Sequence, residues 1–142
     1  MILFSDTILN MKEIEVSAAI IIKANKIFIT QRGYGEFKDY REFPGGKLEK
    51  GETAKECIVR EIKEELDADI EVIKFLNTIK YEYPTFKLTM HNFICKLKDD
   101  HIFLLEHEAA KFIDKKELDK INFLPADLLI LDDLKDYLSN NR

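Results

Sequence analysis

Residues 14–22 read IEVSAAIII, a run dense in β-branched positions, and after the turn-like Lys23-Ala24-Asn25 the segment 26–32 sets Ile27 and Ile29 in alternation. These two stretches predict a β-hairpin. Residues 33–52 concentrate the glycines and include Pro44, which predicts an irregular connection. Thr53 with Glu56 three positions on forms a capping box, and the 3.6-residue pattern behind it predicts a helix running to about Leu66. Segments 69–82 and 86–97 return to strand-like patterning around a turn at Tyr83-Pro84-Thr85, and 109–113 reads as one more short strand. A helical turn is expected over 114–119. Pro125 then opens a final helix over 126–138, with Leu128, Leu131, Leu134 and Leu138 on one face. Strands before, between and after two well-separated helices predict a mixed sheet covered on both faces.

The chain has 142 residues, 46% hydrophobic and 35% charged, which excludes disorder and suits a single domain over 1–142. Residues 1–10 read either as an added strand or as a lead before a domain that starts at Met11. They lack the basic segment of a secretion signal. A net charge of −5 without any basic run argues against long nucleic acid or an anionic membrane as partner, so a polyanionic ligand would need a mediating cation. No apolar run approaches a membrane span. Cys57 and Cys95 have no ligand spacing, which favours a reducing cytoplasm over a zinc site or disulfide framework. Neither GxGxxG nor GxxxxGK[ST] is present, and no obligatory protein partner is indicated.

The chemistry concentrates in EFPGGKLEKGE, residues 42–52, and in the helix segment REIKEEL, residues 60–66. At about 100° per residue, Glu61, Glu64 and Glu65 fall within about 100° of one another, at the margin of a buried face carrying Ala54, Ile58, Val59, Ile62 and Leu66. Three carboxylates so held repel one another and, as hard oxygen donors, suit Mg²⁺ or Mn²⁺. Gly45-Gly46 lets the backbone approach closely and offer a carbonyl as a further ligand. Read from Gly46, the pattern G-x5-E-x7-R-E-U-x-E-E arises by chance on the order of 10⁻⁶ per chain of this length at ordinary residue usage.

EFPGGKLEKGET together with REIKEEL resembles the signature of the Nudix hydrolases, and of MutT-type nucleoside triphosphate pyrophosphohydrolases in particular. The first hairpin, LEHEAAKF and LPADLLILDDL are also similar to that family. The departure is Asp67-Ala68, where the family pattern has Gly and a bulky aliphatic; a left-handed Asp there costs roughly 1 kcal/mol. The resemblance implies an α/β/α sandwich in which Glu61, Glu64, Glu65 and the Gly45 carbonyl hold Mg²⁺, with Mn²⁺ as a substitute. Arg60 would position the carboxylates, Glu52 would be mostly structural, and Glu106 would be a ligand or general base across the metal site. Arg32 would reach a substrate phosphate. His91, His101 and His107 lack partner spacing and are expected to be non-catalytic.

The implied reaction is attack of an activated water on the triphosphate chain, releasing nucleoside monophosphate and diphosphate. In this family the residue after Pro-Ala reads the base: Asn in oxidised-guanine specialists, Asp in cytidine-preferring relatives. Here it is Asp127, which as an ionised acceptor would favour the cytosine amino group; a plain helix-start charge is the alternative. Phe43, Tyr83 and Phe86 are candidate stacking walls or core residues. The expected substrates are therefore (d)CTP-type or oxidised nucleotides such as 8-oxo-dGTP. A non-catalytic nucleotide-binding module, or a hydrolase of another nucleoside diphosphate derivative such as ADP-ribose, is the competing reading.

Overall fold

The computed structural model describes residues 12–32, 35–102 and 109–140. Its strands are β1 (Lys12–Lys23), β2 (Lys26–Gln31), β3 (Arg41–Glu42), β4 (Gly45–Lys47), β5 (Ile70–Tyr83), β6 (Phe86–Leu97) and β7 (Ala109–Asp114). The helices are α1 (Ala54–Leu66), α2 (Pro125–Leu128) and α3 (Leu131–Asn140), with a 3-10 helix at Lys115–Lys120. The expected start at Met11 and the lead 1–10 lie outside the described residues.

β1 and β2 form the expected hairpin, with Ile22 opposite Ile27. Ala24 and Asn25 sit at φ +50° and +65°, the paired left-handed residues that match a two-residue turn to strand twist. β1 runs parallel to β6 from Lys12 opposite Phe86 to Ile21 opposite Cys95, and β6 pairs antiparallel with β5. The main order is β3-β2-β1-β6-β5, with β4 on β1 and β7 on β2. The sheet is therefore mixed.

Alternate residues of β1 enter two separate cores, which is why IEVSAAIII does not alternate between apolar and polar. Ala19 and Ile21 pack with Phe93 and Cys95 under Ile58, Ile62 and Leu66 of α1. Ala18 and Ile20 pack on the opposite side with Phe123, Ala126, Ile130 and Leu134. Helices thus cover both faces, the expected α/β/α arrangement. β2 departs from the alternation read for it: Ile27, Phe28, Ile29 and Thr30 are all buried, because both faces of this central strand are covered.

Three further local expectations are corrected. Within the stretch read as irregular, β3 and β4 are short strands, because Gly45 and Gly46 pair with Ala18 and Ser17 of β1. The single final helix is two: the Leu129 and Ile130 amides donate to Ala126 and Asp127, tightening the backbone and turning the chain. Leu128 is consequently 49% exposed rather than in the leucine face. Val59, placed on the buried side of α1, is 40% exposed. No helix among the described residues is long and apolar enough to cross a membrane.

The packing of α1 makes a sharp contrast testable. Ile62 has no exposed surface, so Ile62→Ala should cost about 2–5 kcal/mol in urea unfolding, whereas Val59→Ala should stay within about 0.5 kcal/mol. Similar losses at both positions would contradict this placement of the helix.

Candidate active site

Arg60 organises the acidic end of the molecule. Its Nε and Nη2 donate to the two carboxylate oxygens of Glu52 at 2.6 and 2.8 Å, a fork-on-fork pair. Nη1 donates to Glu61 at 3.0 Å and Glu64 at 3.2 Å, Nη2 also reaches the Lys47 carbonyl at 3.1 Å, and Glu49 lies 3.5 Å from Nη1. One guanidinium therefore serves four carboxylates. Glu52, gripped by Arg60 and accepting from the Glu49 amide, is held down to a pKa of about 2. The same pairing raises Arg60.

The loop is presented to α1 by local rules. Thr53 and Glu56 close the capping box, each side chain accepting from the other's backbone amide. Ser17 on β1 donates to the Ala54 carbonyl at 2.8 Å, fixing the first turn of α1 against the sheet. At the far end Asp67 terminates α1 in the left-handed region at φ 48°, the conformation expected of it there, and its carboxylate pairs with His101 and Lys63. Those partners offset the backbone cost and hold its pKa below the usual range.

Gly45 is sterically required by backbone, and Gly46 leaves the space that the Glu61 side chain uses. A Cβ on Gly45 would lie 2.0 Å from the Ser17 carbonyl oxygen, and one on Gly46 would lie 2.2 Å from the Glu61 carboxyl carbon. The Glu61 carboxylate is thus seated over the bare backbone of Gly46, in space that any side chain there would fill. Among the described residues no three acidic, His or Cys side chains form a ready-made metal cluster; Glu61 and Glu64 are drawn onto Arg60 instead. The donor set nonetheless fits a hard divalent cation. It is all oxygen, its negative charge exceeds the one guanidinium, and Glu64, 59% exposed, has room to swing.

Beside this cluster opens a cavity of about 490 Å³. Gly45, Gly46 and Glu65 line one part of it, and Arg32, Glu42, Phe43, Tyr83, Phe86 and Asp127 line others. Arg32 faces Glu42 through two contacts of 3.4 and 3.5 Å. Phe86 stacks on Tyr83 with ring centres 4.9 Å apart, while Phe43 is buried and stacked on Phe123. Tyr83 accepts from the Ala126 amide at 3.2 Å, which ties the end of β5 to the start of α2.

Asp127 is only 5% exposed, and its Oδ2 accepts from the Phe43 amide at 2.9 Å across 84 residues of sequence. It is therefore more than a solvated helix-start charge. Burial pushes its carboxyl up to about 8, with Glu42 adding to the rise. Burial thus works against the ionised acceptor expected from sequence, while Arg32 and the Phe43 amide work for it.

The structure thus gathers Arg60, Glu61, Glu64 and Glu65 on one helix end, and Arg32, Phe43, Tyr83 and Asp127 around one cavity. Glu106 and His107 lie outside the described residues. His91 pairs with Glu15 at 2.6 Å and His101 with Asp67 at 3.1 Å, and neither lines the cavity. Sequence reasoning missed Glu42 and Phe37 as cavity residues. Glu42 was legible as the acid directly preceding Phe43; Phe37 carries no comparable signal. Cys57 and Cys95 are both buried and free.

Comparison with known proteins accords with this arrangement. The NUDIX domain matches residues 12–140. The 8-oxo-dGTP diphosphatase of Buchnera aphidicola subsp. Schizaphis graminum is 33% identical over 126 residues, covering 88% of this chain and 95% of that protein. The CTP pyrophosphohydrolase of Escherichia coli K12 is 32% identical over 125 residues, covering 86% and 91%. The solution structure of the E. coli ORF135 protein superposes with a TM-score of 0.79 at 28% identity, over 92% of this chain and 94% of that one. With the family match running from the first strand to the last helix, the chain belongs to the Nudix family of hydrolases.

Proposed function

We propose that this protein is a Mg²⁺-dependent nucleoside triphosphate pyrophosphohydrolase, converting NTP and water to NMP and diphosphate. Its substrates are (d)CTP-type or oxidised nucleotides such as 8-oxo-dGTP. Pyrophosphohydrolysis of nucleotides is the chemistry for which its Nudix relatives are named, and the family as a whole uses divalent metal. The observation that carries the reading is the acidic end of α1, held on Arg60 and opening through Glu65 onto the cavity that contains Asp127. Two buried free thiols suit a reducing cytoplasm, where a nucleotide pool is available.

Glu61, Glu64, Glu65 and the Gly45 carbonyl would hold the cation. When bound, Mg²⁺ offsets polyphosphate charge and makes water a stronger nucleophile. The chain's own residues do the rest. Arg60 and Glu52 keep α1 and the glycine loop in register, so the donors need only side-chain rotation off Arg60 to reach a cation. Glu64 is 59% exposed and held on Arg60 by one contact, which leaves it free to accept a proton. Arg32 can exchange its long contacts to Glu42 for a phosphate oxygen. Tyr83 and Phe86 supply the apolar wall for a base, and Asp127 its polar edge.

EDTA should abolish turnover, and millimolar Mg²⁺ or Mn²⁺ should restore it; full activity in chelator, with metal-free protein confirmed by elemental analysis, would sink the mechanism. Glu64→Gln should lower turnover at least about a hundredfold without loss of the folded state by circular dichroism, because it relieves carboxylate repulsion. Near-normal turnover would move the essential acid to Glu61 or Glu106.

A further inference from the structure

In the row of β1 that faces α1, Ala19 and Ile21 are apolar, but the next member of the row, where the glycine strand β4 pairs, is Ser17. The helix residue beside it is Cys57, and the two side chains are within hydrogen-bonding reach of each other. Neither has any exposed surface. A buried hydroxyl is costly unless it is bonded, and this one is. Ser17 Oγ donates to the Ala54 carbonyl at 2.8 Å, and its backbone lies opposite Gly46 in the β1–β4 ladder. Cys57 Sγ donates to the Gly46 carbonyl at 3.5 Å and accepts from Arg60 Nη2 at 3.9 Å. One polar knot therefore joins the sheet, the glycine strand, the first turn of α1 and the guanidinium that holds Glu61 and Glu64. Two alanines would fill the same place and make none of these side-chain bonds.

We propose that Ser17 and Cys57 are positioning residues for the cation: they fix the glycine strand against α1, so that the Glu61 carboxylate and the Gly45 carbonyl keep one separation. The inference rests on the reading of Glu61, Glu64, Glu65 and the Gly45 carbonyl as the cation site, and it adds two residues that act through the backbone and through Arg60 rather than as ligands. That separation is finely set. The Glu61 carboxyl carbon lies where it would be 2.2 Å from a Cβ on Gly46, so a small shift of β4 toward or away from α1 moves the seat of that carboxylate. Apolar contacts between α1 and the sheet are non-directional and resist sliding poorly, whereas bonds to the Ala54 and Gly46 carbonyls have preferred lengths and angles and resist it.

The test measures Mn²⁺ binding by electron paramagnetic resonance in wild type, Ser17→Ala, Cys57→Ala and Cys57→Ser, with urea unfolding of each. Both alanine variants should bind Mn²⁺ about tenfold more weakly while remaining folded, as for removal of groups that orient metal ligands. Cys57→Ser keeps a donor and an acceptor at the same place, so its affinity should stay within about threefold of wild type. A packing role alone predicts the reverse order, since alanine suits an apolar site and a buried serine hydroxyl does not. Alanine variants that bind Mn²⁺ as wild type does, or equal losses in Cys57→Ala and Cys57→Ser, would overturn the proposal. Cys57→Ala leaves Ser17 bonded to Ala54 and decides the matter if Ser17→Ala does not fold. A wild type that binds Mn²⁺ but hydrolyses no nucleoside triphosphate, with the same weakening in the alanine variants, would reject the functional reading and uphold the positioning role. A wild type that binds no Mn²⁺ would overturn both.

Discussion

The contact on which the site depends is the fork between Arg60 and Glu52, at 2.6 and 2.8 Å. Glu52 ends the glycine loop and Arg60 is two turns into α1, so this pair joins the two segments beyond the Thr53 cap and the Cys57 contact to the Gly46 carbonyl. With two nitrogens committed to Glu52, Nη1 remains for Glu61 and Glu64, and holds these two acidic residues side by side. Lysine could not substitute, since a single ammonium cannot grip one carboxylate bidentately and orient two others. An excess of carboxylate over guanidinium is tolerable at a protein surface and becomes an asset when a divalent cation and a polyphosphate arrive together.

The close approach of the loop to the sheet follows from the same constraint. Gly45 lies against β1 with no room for a side chain, and the Glu61 carboxylate occupies the space above Gly46. β1 in turn is a strand with two buried faces, one under α1 and one under α2 and α3. The acidic helix end and Asp127 therefore approach one cavity from opposite sides of a shared strand. Tyr83 and Phe43 carry the second connection, through their contacts to the Ala126 amide and to Asp127.

Much of this was legible in the sequence because it is local. The Thr53–Glu56 cap, the left-handed Asp67, the Ala24-Asn25 turn and the clustering of Glu61, Glu64 and Glu65 each depend on residues a few positions apart. What was not legible depends on contacts across the chain. The burial of Asp127 against the Phe43 amide joins positions more than eighty apart. The break between α2 and α3 reflects a chain pinned at its first turn by Asp127 and Ala126, where leucine periodicity alone predicted one continuous helix. Val59 stands at the edge of the wheel, where a few degrees decide exposure.

In the proposed mechanism Arg60 and Glu52 shape a cation site to which they contribute no ligand. Its most direct measurement is Mn²⁺ binding to the intact protein by electron paramagnetic resonance, in wild type and in Glu52→Gln. Loss of the fork should weaken Mn²⁺ affinity by about tenfold to a hundredfold while the folded state persists, as for removal of a group that orients metal ligands. Unchanged Mn²⁺ affinity in Glu52→Gln would contradict the account.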